Sequence, residues 1–185
     1  LILGNNPNNN SKIITYSNIT LDGLYIHDIN GITDKENSGM SAESKKTGGI
    51  HFGSLDGKAK FDNLIIKNCK IKNVSNVGIA SWYKFGSTSN KVSPYSDKFK
   101  DTAYTNILIE NNDISYIGKN AIFVRNLLGG YVKNNVVYET AIKCISGNSI
   151  VTSYVDGTVI EYNEGYYNRA SAKSDGKIQD GCMLD

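Results

Sequence analysis

The phrase Asn63-Leu64-Ile65-Ile66-Lys67-Asn68-Cys69-Lys70-Ile71 recurs, without identity, as Asn106-Ile107-Leu108-Ile109-Glu110-Asn111-Asn112-Asp113-Ile114. Gly130-Tyr131-Val132-Lys133-Asn134-Asn135-Val136-Val137 is a third copy, and weaker ones start at Asn18 and Thr158. Each copy is a β-type alternation, a polar bend and a second short alternation. Such self-similarity restricts the chain to repeat architectures, whose units cannot bury an apolar face alone and must stack. Composition agrees, with 23 Asn and 22 Ile against 2 Pro. Ile suits pleated, half-buried strands. Asn suits tight bends, because it tolerates the left-handed backbone region.

Aligning the copies on one inward apolar residue gives Leu21, Ile66, Ile109, Val132 and Ile160. Three residues further on stand Leu24, Cys69, Asn112, Asn135 and Asn163. The last three are expected to form a stacked Asn file at an inward bend, since buried amides need hydrogen-bond partners. A second ladder follows each phrase, always opened by a small residue. It reads Gly49-Ile50-His51-Phe52, Gly78-Ile79-Ala80-Ser81, Ala121-Ile122-Phe123-Val124, Ala141-Ile142-Lys143-Cys144 and Gly181-Cys182-Met183-Leu184. By strand alternation Ile50, Ile79, Ile122, Ile142 and Cys182 point inward, as do Phe52, Ser81, Val124, Cys144 and Leu184. All three Cys (69, 144 and 182) thus fall at inward positions and are expected to be buried free thiols.

The resulting fold class is all-β: a right-handed, single-stranded parallel β-helix of about five coils. It forms one domain over 1–185, a piece of a longer solenoid incomplete at both ends, with inserts near 30–48, 83–103 and 165–180. The rival is a leucine-rich repeat, whose spacing Phe61, Leu64, Ile66, Cys69 and Ile71 fit. Three features oppose it: Ile predominates over Leu, the repeat length is irregular, and a second β-type ladder stands where that family has a helix or irregular turn.

The phrases N-[IL]-x-I-x-N-[NC]-x-I and G-[IV]-x-[FV] resemble the parallel β-helix repeats of pectate-lyase-like proteins, from about Asn18 to Asp185. The resemblance implies a polysaccharide-active protein, a lyase, hydrolase or epimerase on acidic glycans, or a non-catalytic adhesin or surface protein. None of the motifs that mark the family's hydrolases and epimerases is present, so no catalytic residue carries over.

The outward face of the second ladder supplies candidates independently of that resemblance. One outward file reads His51, Ala80, Phe123, Lys143, Met183, and the next Gly53, Trp82, Arg125, Ile145, Asp185. On the usual strand spacings these define a groove about 20 Å long. β-Elimination on a uronate needs a base for the C5 proton and positive charge for the carboxylate. Lys143, Arg125 and His51 are therefore the catalytic candidates, and Trp82, Tyr83 and Asp185 the substrate-binding ones. Each has a plainer reading: solvated Lys and Arg, a His bonded to loop backbone after Gly48-Gly49, a Trp anchoring its own insert. A hydrolase needs two carboxylates. Asp180 and Asp185 are nearest, but their odd separation puts them on opposite faces of a straight strand, so the hydrolase ranks second to the lyase.

The net charge of +2 points to neither nucleic acid nor membrane, and no apolar run is long enough to span a bilayer. The expected partner is a polysaccharide or oligosaccharide. No cofactor is indicated; the chemistry admits Ca²⁺, although no Asp-x-Asp-x-Asp loop is present. The class implies a secreted, periplasmic or cell-surface location.

Overall fold

The computed structural model describes residues 2–3, 12–31, 47–54, 57–83, 97–145, 147–170 and 181–185. Among them the chain is all-β apart from one short helix, α1 (Asp97–Thr102). Its strands fall into three parallel ladders. The small-residue ladder holds β1 (Ile2–Leu3), β4 (Ile50–Ser54), β7 (Ile79–Tyr83), β11 (Ile122–Leu128) and β14 (Ile150–Asp156). The phrase ladder holds β2 (Ile14–Asp22), β5 (Ala59–Lys67), β8 (Tyr104–Thr105) with β9 (Leu108–Glu110), β12 (Tyr131–Lys133) and β15 (Val159–Glu161). The trailing ladder holds β3 (Tyr25–Ile29), β6 (Lys70–Val74), β10 (Asp113–Ile117), β13 (Val136–Thr140) and β16 (Glu164–Asn168). The chain visits the ladders in that order each time, a β-helix-like arrangement of strand triplets. β11 outruns β7 to pair with β8, which joins the first two ladders into an 11-stranded sheet. The trailing ladder is a separate five-stranded sheet.

The phrase register is the one read from the sequence: Leu21 pairs with Ile66, Ile66 with Ile109, Ile109 with Val132 and Val132 with Ile160. Alternation turns these residues inward, and Ile66, Ile109 and Val132 are fully buried. With Ile50, Ile79, Ile122 and Ile150 from the small-residue ladder and Ile71, Ile114 and Val137 from the trailing ladder, they form one core. Each such side chain contributes about 1.5–3 kcal/mol relative to exposure. Phe52, Phe61 and Tyr104 fill the corner between the first two ladders, their ring centroids 5.5–5.8 Å apart.

The Asn file is present. Asn112 Nδ2 donates to Asn135 Oδ1 at 2.9 Å, and Asn135 Nδ2 to Asn163 Oδ1 at 2.9 Å. The same oxygens accept the backbone N–H of Asn112 and Asn135, while Asn112 Oδ1 accepts that of Cys69. Other Asn residues form rows at the bends. Of fifteen described non-Gly residues with positive φ, eight are Asn. One row, in register across the trailing ladder, is Asp28, Asn73, Tyr116, Glu139 and Tyr167. Asn meets the left-handed region at lower cost than other side-chain-bearing residues, which accounts for its abundance.

The fourth unit of the second ladder needs correction. Ala141-Ile142-Lys143-Cys144 imitates a small residue followed by a strand, but it lies in a turn, with Ala141 at φ 59° and Ile142 37 % exposed. The strand is β14, and Ile150 takes the inward place. In the last unit Leu184, not Cys182, bridges to Ile150, so Cys182 is exposed while Cys69 and Cys144 are buried. β16 occupies 164–168, so the third insert starts later than expected. Residues 32–46, 84–96 and 171–180, with Asp175 and Asp180 among them, lie outside the described residues.

Candidate functional site

The outward rows of the small-residue ladder follow from its register. His51 pairs with Ala80, Ala80 with Phe123 and Phe123 with Val151. The Leu184–Ile150 bridge extends this row to Asp185. In the second row Gly53 pairs with Trp82, and Arg125 with Ser153. Three positions therefore change from the sequence expectation, Ser153 standing where Ile145 was expected. Val151 stands where Lys143 was expected, and Asp185 belongs to the row of His51 rather than that of Arg125.

Lys143 is on the turn after β13. Its Nζ donates to Ser75 Oγ at 2.9 Å, and its backbone N–H to the Gly118 carbonyl at 3.0 Å. His51 is 4 % exposed, and its Nε2–H donates to the Val77 carbonyl at 3.3 Å. The ring sits against Gly48, where a Cβ would overlap Nε2 at 2.1 Å. That is the loop-backbone bond foreseen as its plainer role. The backbone of Trp82 and Tyr83 belongs to β7, paired with Gly53 and Ser54; their side chains lie outside the described residues.

The rows are not open along their length. Ala80 and Phe123 are buried, and with Val77 and Val151 they form an apolar cluster on the outer side of the sheet. Accessibility returns at β14 and at the exposed Asp185. Arg125, 7 % exposed, lies with its guanidinium 4.4 Å from the Phe123 ring centroid. Burial pushes its pKa down, with Tyr154 acting in the opposite direction, yet an Arg remains charged at neutral pH. Asp185 Oδ2 accepts from Asn148 Nδ2 at 2.8 Å, and Asn148 Oδ1 accepts the backbone N–H of Gly181 and Cys182. One buried amide thus ties the last described segment onto β14.

The structure therefore gathers Phe123, Arg125, Val151, Ser153 and Asp185 at the open end of the outer face. Arg125 and Asp185 are two strand spacings apart along the stack, roughly 10 Å. Asp185 is thus the exposed carboxylate at this end of the face, while Arg125 lies buried on the Phe123 ring. Sequence reasoning missed Asn148, although Asn120-Ala121-Ile122 and Asn148-Ser149-Ile150 repeat one signal. Among the described residues no group of three or more His, Cys, Asp or Glu is placed to hold a metal ion. No helix there is long and apolar enough to cross a membrane.

The chain is similar to lacto-N-biosidases. It is 29% identical over 166 residues to the lacto-N-biosidase of Bifidobacterium longum subsp. longum, an alignment covering 82% of this chain and 8% of that protein. The crystal structure of the GH136 lacto-N-biosidase from Eubacterium ramulus superposes with a TM-score of 0.61 at 20% identity, covering 87% of this chain and 33% of the other. The chain thus spans less than a tenth of the first protein and a third of the second, and the structural likeness establishes the fold alone. No family model matches. These findings correct the resemblance to pectate-lyase-like proteins: the similar proteins are lacto-N-biosidases, and the parallel sheets carry nothing peculiar to pectate-lyase-like folds.

Proposed function

We propose that this chain is part of a glycan-active glycoside hydrolase, with an oligosaccharide of the lacto-N-bioside type as the first substrate to test. The observation that carries the reading is the 29% identity with a lacto-N-biosidase over 166 residues. The lyase expectation rested on the pectate-lyase-like resemblance and on Lys143, Arg125, Trp82 and His51 sharing one groove; the similar proteins are lacto-N-biosidases and Lys143 lies off that groove, which removes both supports. In this reading each strand triplet is one turn of a right-handed parallel β-helix of about five coils, and the ladders are its faces. Right-handedness is the general rule for parallel crossover connections. A substrate of this kind fits a secreted, periplasmic or cell-surface location.

Hydrolysis of a glycosidic bond needs two carboxyl groups, about 5–5.5 Å apart for retention or 6.5–9.5 Å for inversion. Asp185 is the carboxylate we assign to the site; Arg125, buried on the Phe123 ring, supports the surface behind it. The assay is release of the aryl group from an aryl lacto-N-bioside by the protein at its full natural length, with absorbance near 235 nm on uronate polymers in parallel. Aryl release without unsaturated product is expected. Unsaturated product alone would reverse the reading. Asp185→Asn is expected to lower kcat by about 10²–10⁴-fold, the range for a lost acid or base.

A second reading, in which this stretch is a non-catalytic part of such a protein, is favoured by its covering only 8% of the curated relative. It predicts full activity for Asp185→Asn.

A further inference from the structure

The outer face of the trailing ladder, away from the site above, carries an aromatic array. Ile71, Ile114 and Val137 point into the core; of the row beside them Tyr138 and Tyr166 face out, whereas Ser115 is buried. Tyr138 and Tyr166 are paired in register and stack at 5.2 Å with their planes 9° apart. Tyr116 meets Tyr138 edge-on at 6.2 Å, and Tyr167 meets Tyr166 edge-on at 5.4 Å. Tyr116, Tyr166 and Tyr167 remain 43, 41 and 60 % exposed. Contiguous exposed aromatic surface of this kind marks an interaction site more often than chance.

Two of these rings are held at a cost. Tyr116 and Tyr167 adopt φ of 55° and 56° in the same row where Asp28 and Asn73 stand. The left-handed region is unfavourable for a bulky L-residue. Strain of this sort collects at functional positions. Asn would fit the row, yet these two places carry exposed rings.

The rim is polar and balanced. Arg169 forms a bidentate pair with Glu139 at 2.8 and 2.9 Å while lying 5.0 Å from the Tyr167 ring. Lys72 lies 5.3 Å from the Tyr116 ring. Lys70 and Asp113 pair at 3.7 Å, and Glu164 completes three basic against three acidic groups. Single-stranded nucleic acid also stacks on aromatic rings, but in a positively charged groove. A neutral face with paired charges does not provide one, and it does not suit an acidic polysaccharide either.

We propose that Tyr116, Tyr138, Tyr166 and Tyr167 form a carbohydrate-binding platform for an uncharged glycan. The apolar faces of successive sugars stack on the rings, and their hydroxyls bond to the Arg169–Glu139 pair. Binding is read without bond cleavage, so this platform stands or falls separately from the hydrolase reading. The test is affinity electrophoresis of the protein at its full natural length through gels containing soluble neutral β-glucan, galactan or mannan. Retardation in at least one gel is expected. The double variant Tyr116→Asn, Tyr167→Asn keeps the backbone that Asn73 already adopts, so its melting midpoint should hold or rise while affinity falls at least tenfold. Tyr166→Ala should lose affinity likewise. The proposal is overturned by no retardation in any neutral gel, by retardation unchanged in the Tyr variants, or by stronger binding to oligo(dT) or polygalacturonate. Self-association that the Tyr variants abolish would overturn it too, making the face an interface between copies.

Discussion

At Asn112 a single side-chain amide serves the Cys69 N–H, the Ile66 carbonyl and Asn135 Oδ1. All of them are shielded from water, so truncation strands them. Asn112→Ala and Asn135→Ala should each cost at least about 2 kcal/mol in denaturant unfolding, given roughly 1–3 kcal/mol per stranded buried group. Carboxylates at the bends behave differently, because they are only half-buried. Hydrogen bonds from Thr105 and Asn106 hold Asp62 below the ordinary carboxylate range, and the Arg169 hydrogen bond does the same for Glu139. A pKa depressed on folding adds stability above the unfolded-state pKa, and that stability is lost as pH falls through the folded value. Acid should therefore lower the melting midpoint across and below the ordinary carboxylate range, and the slope should be shallower in Asp62→Asn. An unchanged slope would mean that these contacts persist in the unfolded chain.

Between elements, the tight places are where one triplet turns into the next. A Cβ on Gly118 would stand 2.0 Å from the Ser75 carbonyl oxygen, and one on Gly78 2.6 Å from that of Ala121. Both obstacles are backbone carbonyls, and that of Ala121 also accepts the Ile79 N–H. Gly118→Ala should cost about 1–3 kcal/mol, the usual penalty for overpacking, and its calorimetric midpoint should fall accordingly. Phe61→Ala, which empties the corner shared with Phe52 and Tyr104, should cost about 3–5 kcal/mol. These elements were unequally legible in sequence. The phrase ladder was readable because inward Ile and bend Asn recur at a fixed offset, and two signals three residues apart pin a register. The small-residue ladder offers only a small residue before an Ile. That weak pattern occurs twice between 141 and 150, and the first occurrence forms a turn while the second forms β14. A one-strand error followed and moved Lys143, and a separate two-residue shift in the last unit moved Asp185.

For the molecule as a whole, alternation told inside from outside but not which outside face stays open. Whether His51 and Arg125 are covered depends on distant segments packing over the sheet, which a strand pattern does not encode. The Tyr rows of the trailing ladder were also out of reach: Tyr116 and Tyr167 interrupt the alternation at left-handed positions, where a period of two assigns no face. The Asn file has a further consequence for how such a gene can change. Each member holds both the peptide N–H and the side chain of its neighbour, across separations of 23 and 28 residues. Those contacts fix the vertical joint and leave the length of the intervening loop free. An in-frame duplication or deletion of one triplet would bring or remove a whole joint, leaving both flanking ones satisfied. The heritable module is therefore the triplet with its Asn, and loop length is the trait free to drift.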